Sequence, residues 1–220
     1  MATLGSRLYG CSVSGSDRNY VKVCSPSQAD VTNGDVDLLL VKDNGLADRK
    51  KETTALYSPK TFIEQCVAGQ PKALELAFLP KDCLQWEDSS GLMMTEWIRA
   101  KCKTQTILNN YASLIVANEI KLRQVFDPKL FCDTLRYVEQ AEWLAGVGKG
   151  KFDPRPSGRL PEFLWGVRRD RVTQIEAMQV LSSSIADLNL IDVSHLKVGI
   201  SSIEVDDIIA RVHQDCIAKG

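Results

Sequence analysis

The feature that most constrains the fold of this chain is a change in hydrophobic periodicity near residue 90. Before it, short apolar runs alternate with turn residues, as in the VDLLLV run that ends at Val41. From about Met93, apolar side chains recur with the 3.6-residue period of amphipathic helices, as at Ile107, Tyr111 and Ile115. Short runs bounded by turns predict strands, and the longer period predicts helices. The two parts of the chain are therefore expected to differ in structure.

We expect an α+β fold built from these two parts. Residues 1–85 are expected to form a small mixed β-sheet with its helices, and residues 86–220 a helical domain that packs on it and walls a cleft. The last expected strand is inferred from the alternation of Leu74, Leu76 and Phe78 with their neighbours. The expected strands are residues 2–4, 19–24, 36–41 and 74–78.

Three expected helices begin at sequence signals that satisfy the free N–H groups of a first turn. Ser58 and Asp127 each stand directly before a proline, which combines a capping side chain with the residue favoured at the first helical position. Thr173, followed three residues later by Glu176, forms a capping-box pattern. Further helices are expected over about 161–165 and 205–218.

The composition excludes a protein that attracts polyanions over its whole surface. The formal net charge is -1 and the pI is about 6.2, so a polyanion site must be a local cluster of Lys and Arg.

The start of the chain lacks a secretory signal, and no apolar run approaches the roughly 18 residues of a membrane span. The seven cysteines are scattered without a CxxC pair, which predicts free thiols. We therefore expect a cytoplasmic protein with no membrane partner.

Residues 5–23, GSRLYGCSVSGSDRNYVKV, contain a pattern with a chemical interpretation. A Gly-Ser turn lets a triphosphate approach the backbone, because its residues are small and its N–H groups are exposed. Two acids one residue apart on a following strand belong to one face and together hold divalent metals. Here Asp17 is followed by Asn19, so the second acid of that pattern is replaced. From this spacing alone, a plain turn closed by Gly, Ser and Asp is the alternative.

Segments further along the chain resemble a known family. Three segments occur in this order: GSRLYG, GSDRNYVKV and LYSPKTFIEQCVAGQPKALELAFLP. Together they are similar to predicted nucleotidyltransferases of the DNA polymerase beta superfamily, in the phage and bacterial branch found beside RNA ligases. FDPKLFCDTLRYVEQAEWLAGVGKGKFDPRP, followed by LPEFLWGVRRD, resembles the helical region of the same family. The resemblance spans roughly residues 2–185, and it implies nucleotide binding, a divalent metal (Mg²⁺ or Mn²⁺) and a nucleotidyltransferase type of sheet.

The resemblance also assigns roles to individual residues. Asp17 corresponds to the first metal carboxylate and Asn19 to the second. The third acid of the family corresponds to Thr53, with Glu52 one residue away. Because an Asn brings no charge, metals held by Asp17 alone would be poorly neutralised. The residues implied to contact the nucleotide are Gly5, Ser6, Arg7, Lys129 and Arg136.

Charged residues of the helical part have a second interpretation besides the functional one. Lys129, Asp133 and Arg136 share one helix face. Either Lys129 and Arg136 are a pair of cations for a triphosphate, or the face is a solvated charged surface with a Lys-Asp pair. Arg168, Arg169 and Arg171 form, together with the basic residues of the preceding loop, either a rim for RNA or another polyanion, or plain surface. The four tryptophans, among them Trp165, are expected in the core.

Two functional hypotheses follow. In the first, a phage-encoded nucleotidyltransferase binds a nucleoside triphosphate and a divalent metal and transfers a nucleotidyl group to a hydroxyl of RNA, a protein or a small molecule. Asp17, Asn19 and Glu52 then form its catalytic metal site. In the second, a pseudoenzyme retains the nucleotide cleft and acts by binding a nucleotide, or a host or phage protein, in the host cytoplasm. The replacements at Asn19 and Thr53 motivate the second hypothesis.

Overall fold

The computed structural model describes residues 2–4, 18–23, 39–41, 52–79, 89–147, 156 and 158–219. Most of these residues are helical. In chain order, the helices are α1 (Pro59–Val67), α2 (Pro71–Phe78), α3 (Ser89–Lys101), α4 (Gln105–Gln124), α5 (Pro128–Leu144), α6 (Leu160–Arg168), α7 (Gln174–Asn189) and α8 (Ser202–Lys219).

Four short strands precede the helices. They are β1 (Ala2–Leu4), β2 (Arg18–Val23), β3 (Leu39–Val41) and β4 (Glu52–Tyr57). Their order in the sheet is β1-β2-β4-β3. The outer pairs, β1 with β2 and β3 with β4, are antiparallel, whereas β2 and β4 run parallel.

The expected α+β class is wrong, because the protein is helical. From Ser58 onward, the described residues are about 75% helical and contain no strand. The buried apolar side chains described, from Phe62 to Val212, lie in helices or next to helix ends. The strands are only three or six residues long. A nucleotidyltransferase type of mixed sheet is therefore not the basis of this fold.

The strand expected at residues 74–78 is also wrong, because these residues form helix α2. Gly69, with a φ of 71°, ends α1, and Pro71 occupies the first helical position of α2. Every residue from Ala73 to Phe78 is buried. Because α2 is buried all round, the alternation of its large apolar residues carried no information about its period.

The predicted helix starts are confirmed by their capping hydrogen bonds. The Ser58 hydroxyl accepts from the Thr61 N–H at 3.0 Å. The Asp127 carboxylate accepts from the Lys129 N–H at 2.7 Å. Thr173 and Glu176 form the expected capping box at the start of α7. Local sequence chemistry therefore determines where these helices begin.

The chain forms two compact units, which differ in extent from the two segments distinguished in the sequence. One unit contains the strands and α1–α3, and the chain returns to it at the end, where α8 packs on α1 and α3. The other unit contains α4–α7, with α5 packed against the other three helices. Its core includes Tyr111, Phe131, Leu164 and Leu181.

Two further expectations concern the cysteines and the membrane. The described cysteines, Cys66, Cys102, Cys132 and Cys216, are free thiols. Among the helices that the structure describes, none combines the length and the apolar character needed to cross a membrane.

Candidate nucleotide site

The parallel pairing of β2 with β4 brings together two positions that were matched separately to metal carboxylates. In this register, Asn19 is the partner of Thr53, and Arg18 is the partner of Glu52. The backbone thus pairs residue 19 with the position expected for the third acid. Glu52 is one register position away from Asn19. Neither member of the Asn19–Thr53 pair carries a charge.

On their own, the donors of this pair do not suit a divalent metal, which would also need a carboxylate such as that of Asp17. An amide oxygen and a hydroxyl are neutral, whereas Mg²⁺ is normally held by at least one carboxylate. Among the residues that the structure describes, no group of three His, Cys, Asp or Glu side chains could hold a metal ion. The remaining residues assigned to the site, Gly5, Ser6, Arg7 and Asp17, lie outside the described residues.

The two cations assigned to the triphosphate lie on α5 in different environments. Lys129 is exposed in the first turn, two residues after the Asp127 cap. Arg136, two turns further on, is only 2% exposed. One helix face therefore begins in solvent and ends in the core. The structure does not bring Lys129 and Arg136 together on one solvated surface.

Arg136 belongs to a buried polar arrangement between α4 and α5. Its Nη1 atom lies 2.8 Å from Oδ1 of Asp133, and its guanidinium lies 5.7 Å from the ring centre of Tyr137. The Tyr137 ring meets Tyr111 edge to face, and the Tyr111 hydroxyl donates to Gln140 at 3.1 Å. A guanidinium so enclosed has a structural role in this unit.

A second group of charges lies at the end of α6. The guanidinium carbon of Arg169 is 5.0 Å from the ring centre of Trp165, and that of Arg171 is 4.5 Å from it. Both arginines are exposed, and Trp165 is half-buried. The sequence indicated the basic residues but assigned Trp165 to the core. Only the turn that follows α6 reveals that the three residues meet.

An acidic group in the same unit has a perturbed titration. Burial raises the pKa of Glu142, and the nearby carboxylates of Glu139 and Asp187 raise it further. Glu139 and Glu142 lie on α5 and Asp187 lies on α7, and none of the three is among the residues assigned to the nucleotide. This perturbed pKa was not predictable from the sequence, which does not show that α5 and α7 pack together.

Comparison with models of protein families, with characterised proteins and with solved structures finds no significant match to this chain. The resemblance to nucleotidyltransferases therefore stays an interpretation of the motifs.

Proposed function

We propose that this protein is a nucleotide-binding member of the nucleotidyltransferase family whose metal site has lost acids. The observation that carries the proposal is the Asn19–Thr53 register. The two positions were matched to the family through different motifs, and they are cross-strand partners. Such a pairing is what a shared metal-carboxylate site requires. The proposal rests on this pairing and on the order of the motifs, not on the fold class.

In the enzymatic form of the proposal, the protein binds a nucleoside triphosphate together with Mg²⁺ or Mn²⁺. When bound, the metal would neutralise the phosphates and favour attack by an acceptor hydroxyl of RNA, a protein or a small molecule. Asp17 would hold the metal with Asn19, and Glu52 would assist. Gly5, Ser6 and Arg7 would contact the phosphates. The resemblance also assigns Lys129, which is exposed, to the nucleotide.

A second candidate function, binding without catalysis, is favoured by the chemistry of the same pair. Asn19 and Thr53 offer neutral oxygens at the two positions where the family has acids. Without that charge, two metals close together repel each other and bind poorly. The protein would then sequester a nucleotide, or bind a host or phage protein, as a regulatory or counter-defence factor. Both forms of the proposal assign the protein to the cytoplasm, of the host if a phage encodes it.

One incubation separates the two forms. The protein is mixed with each labelled nucleoside triphosphate, with Mg²⁺ or Mn²⁺, and with total RNA or with the protein alone as the acceptor. The enzymatic form predicts incorporation that disappears in Asp17→Ala. The binding form predicts no incorporation, but a nucleotide-dependent rise in the melting temperature. If there is neither incorporation nor a rise with any nucleotide, the enzymatic form and nucleotide sequestration are both wrong, and the proposal of a nucleotide-binding protein fails.

A further inference from the structure

The turn after α6 has a geometry that fixes the positions of two arginines. The N–H of Arg171 donates to the Gly166 carbonyl at 2.9 Å, and the N–H of Asp170 donates to the Val167 carbonyl at 3.3 Å. This pair of hydrogen bonds is a Schellman motif, which normally has glycine at the residue that turns left-handed. Here that residue is Asp170, with a φ of 56°. The turn therefore holds the residues on both sides of Asp170 in a defined place.

As a result, Arg169 and Arg171 share one aromatic ring. Their guanidinium carbons lie 5.0 and 4.5 Å from the centre of the Trp165 ring, so the two cations are within about 10 Å of each other. Within the described part of the chain, neither guanidinium pairs with a carboxylate. Other exposed arginines of the helices do pair, Arg123 with Glu119 and Arg211 with Asp207.

Stacking on the indole leaves the hydrogen-bonding edge of a guanidinium available. The planar ion contacts the ring, while its N–H donors form a fork that matches phosphate oxygens. Two like charges held close together without an anion repel each other, and a bound phosphate removes that repulsion. Asp170 lies between the two arginines in the sequence, and its side chain is exposed. Its single negative charge offsets only part of the two positive charges.

We propose that Arg169, Arg171 and Trp165 form a binding surface for the phosphates of a single-stranded nucleic acid, with Arg168 beside it. Arginines combined with an aromatic ring are typical of surfaces that bind single strands, where phosphates meet the cations and bases stack on aromatic rings or on the outer face of a guanidinium plane. A duplex presents its phosphates but no free base face. Because the net charge of the chain is -1, the attraction is local to this turn. None of the residues of this surface is among those assigned to the nucleotide.

The test measures binding of a fluorescent 20-nucleotide single-stranded RNA by anisotropy, over a series of salt concentrations. Arg169→Ala/Arg171→Ala is expected to weaken binding about tenfold or more, uniformly across sequences. The slope of log K against log salt should fall by about 1.4, since each phosphate contact on a single strand contributes about 0.7. Single-stranded DNA of the same length is expected to behave alike, because the phosphates are the shared ligand.

The matched control is Arg123→Ala/Arg211→Ala, which changes the net charge equally but removes arginines that carboxylates already neutralise. It should alter binding less than about twofold, since a paired cation attracts little. Arg169→Lys/Arg171→Lys keeps the charge without the stacked fork, and an intermediate loss is expected. This variant also keeps the test decisive if the alanine variant unfolds.

Four results would overturn the proposal. The first is that the wild-type protein does not bind the RNA at low salt. The second is that the control variant loses as much affinity as Arg169→Ala/Arg171→Ala. The third is that the lysine variant binds as tightly as the wild type. The fourth is that duplex RNA, or inorganic polyphosphate of equal charge, binds as tightly as the single strand.

Discussion

Arg136 illustrates, at the scale of one residue, how a pattern of charges differs from their exposure. Its spacing from Lys129 and Asp133 correctly gives a shared helix face. The spacing does not show over how many turns of the helix that face remains exposed to solvent. Because α4 and α7 cover the later turns of α5, the face that begins at the exposed Lys129 ends at a guanidinium that is 2% exposed. Burial depends on packing partners distant in the sequence, so it was not predictable.

The burial of Arg136 predicts a loss of stability rather than a loss of ligand binding. Arg136→Ala leaves a gap in the core beside Tyr137 and removes the partner of the part-exposed Asp133, so the free energy of unfolding should fall by roughly 3 kcal/mol. The measurement is urea denaturation followed by circular dichroism. Arg123→Ala, which removes an exposed ion pair with Glu119, should cost about 0.5 kcal/mol or less. Equal losses in the two variants would contradict the structural role of Arg136.

At the scale of secondary structure elements, local capping chemistry was predictable and burial on all sides was not. Ser58, Asp127 and Thr173 start their helices as expected, because a cap depends only on residues within one turn. Helix α2 was predicted as a strand because its apolar residues alternate. Pro71 at its first position was the stronger signal, since proline favours a helix start.

The turn after α6 predicts a stabilising substitution. Asp170 has a φ of 56°, where a side chain costs energy and glycine does not. Asp170→Gly should raise the free energy of unfolding by about 0.5 to 1 kcal/mol. Removal of its carboxylate should also strengthen binding of single-stranded RNA. Thermal unfolding and the anisotropy assay measure the two effects.

The matched control for Asp170→Gly is the reverse kind of substitution, Gly146→Ala, in the turn that follows α5. Gly146 has a φ of 86°, and an added Cβ would lie 3.4 Å from Nε2 of His195. This variant should lose about 1 kcal/mol or more of stability. Asp170→Gly is expected to stabilise the protein. If it instead destabilises the protein as much as Gly146→Ala does, Asp170 does not have the left-handed backbone conformation described.

The start of α8 predicts a dependence of stability on pH. The Lys101 ammonium, 2.7 Å away, together with the N–H and hydroxyl of Ser201, lowers the pKa of Glu204 to about 2. A carboxylate with a lowered pKa stabilises the fold above its unfolded pKa of about 4.3 and loses that contribution as the pH falls toward 2. This contribution links the end of α3 to the start of α8.

Comparison of the wild type with Glu204→Gln isolates this contribution. The difference between their urea midpoints should be constant above about pH 5, shrink as the pH falls below it, and be mostly lost at about pH 2. Glu64→Gln, which removes an exposed pair with Lys60 at 3.9 Å, should give a smaller difference at neutral pH. A difference between the wild type and Glu204→Gln that persists unchanged to pH 2 would contradict the account.

At the scale of the whole molecule, the sequence predicted the helical part and misjudged the class. The change in period near residue 90 is real, but helices α1 and α2 precede it, so the helical body begins at Pro59. The register of Asn19 with Thr53 was implied only by the motifs, because sequence spacing alone does not pair two strands 34 positions apart. The stacking of two arginines on Trp165 needed the turn geometry.

The measurement that tests the central claim most directly is a calorimetric titration of Mn²⁺ in the presence of a nucleoside triphosphate, with wild type and Asn19→Asp/Thr53→Asp. We predict that the wild type binds the nucleotide with weak dependence on Mn²⁺, and that the double variant binds Mn²⁺ about tenfold more tightly or better, because two carboxylates then meet at one register pair. Asn19→Gln/Thr53→Ser, which keeps a neutral amide and a neutral hydroxyl at the same register pair, should show no such gain. No gain in the Asp double variant, or an equal gain in Asn19→Gln/Thr53→Ser, would contradict the claim.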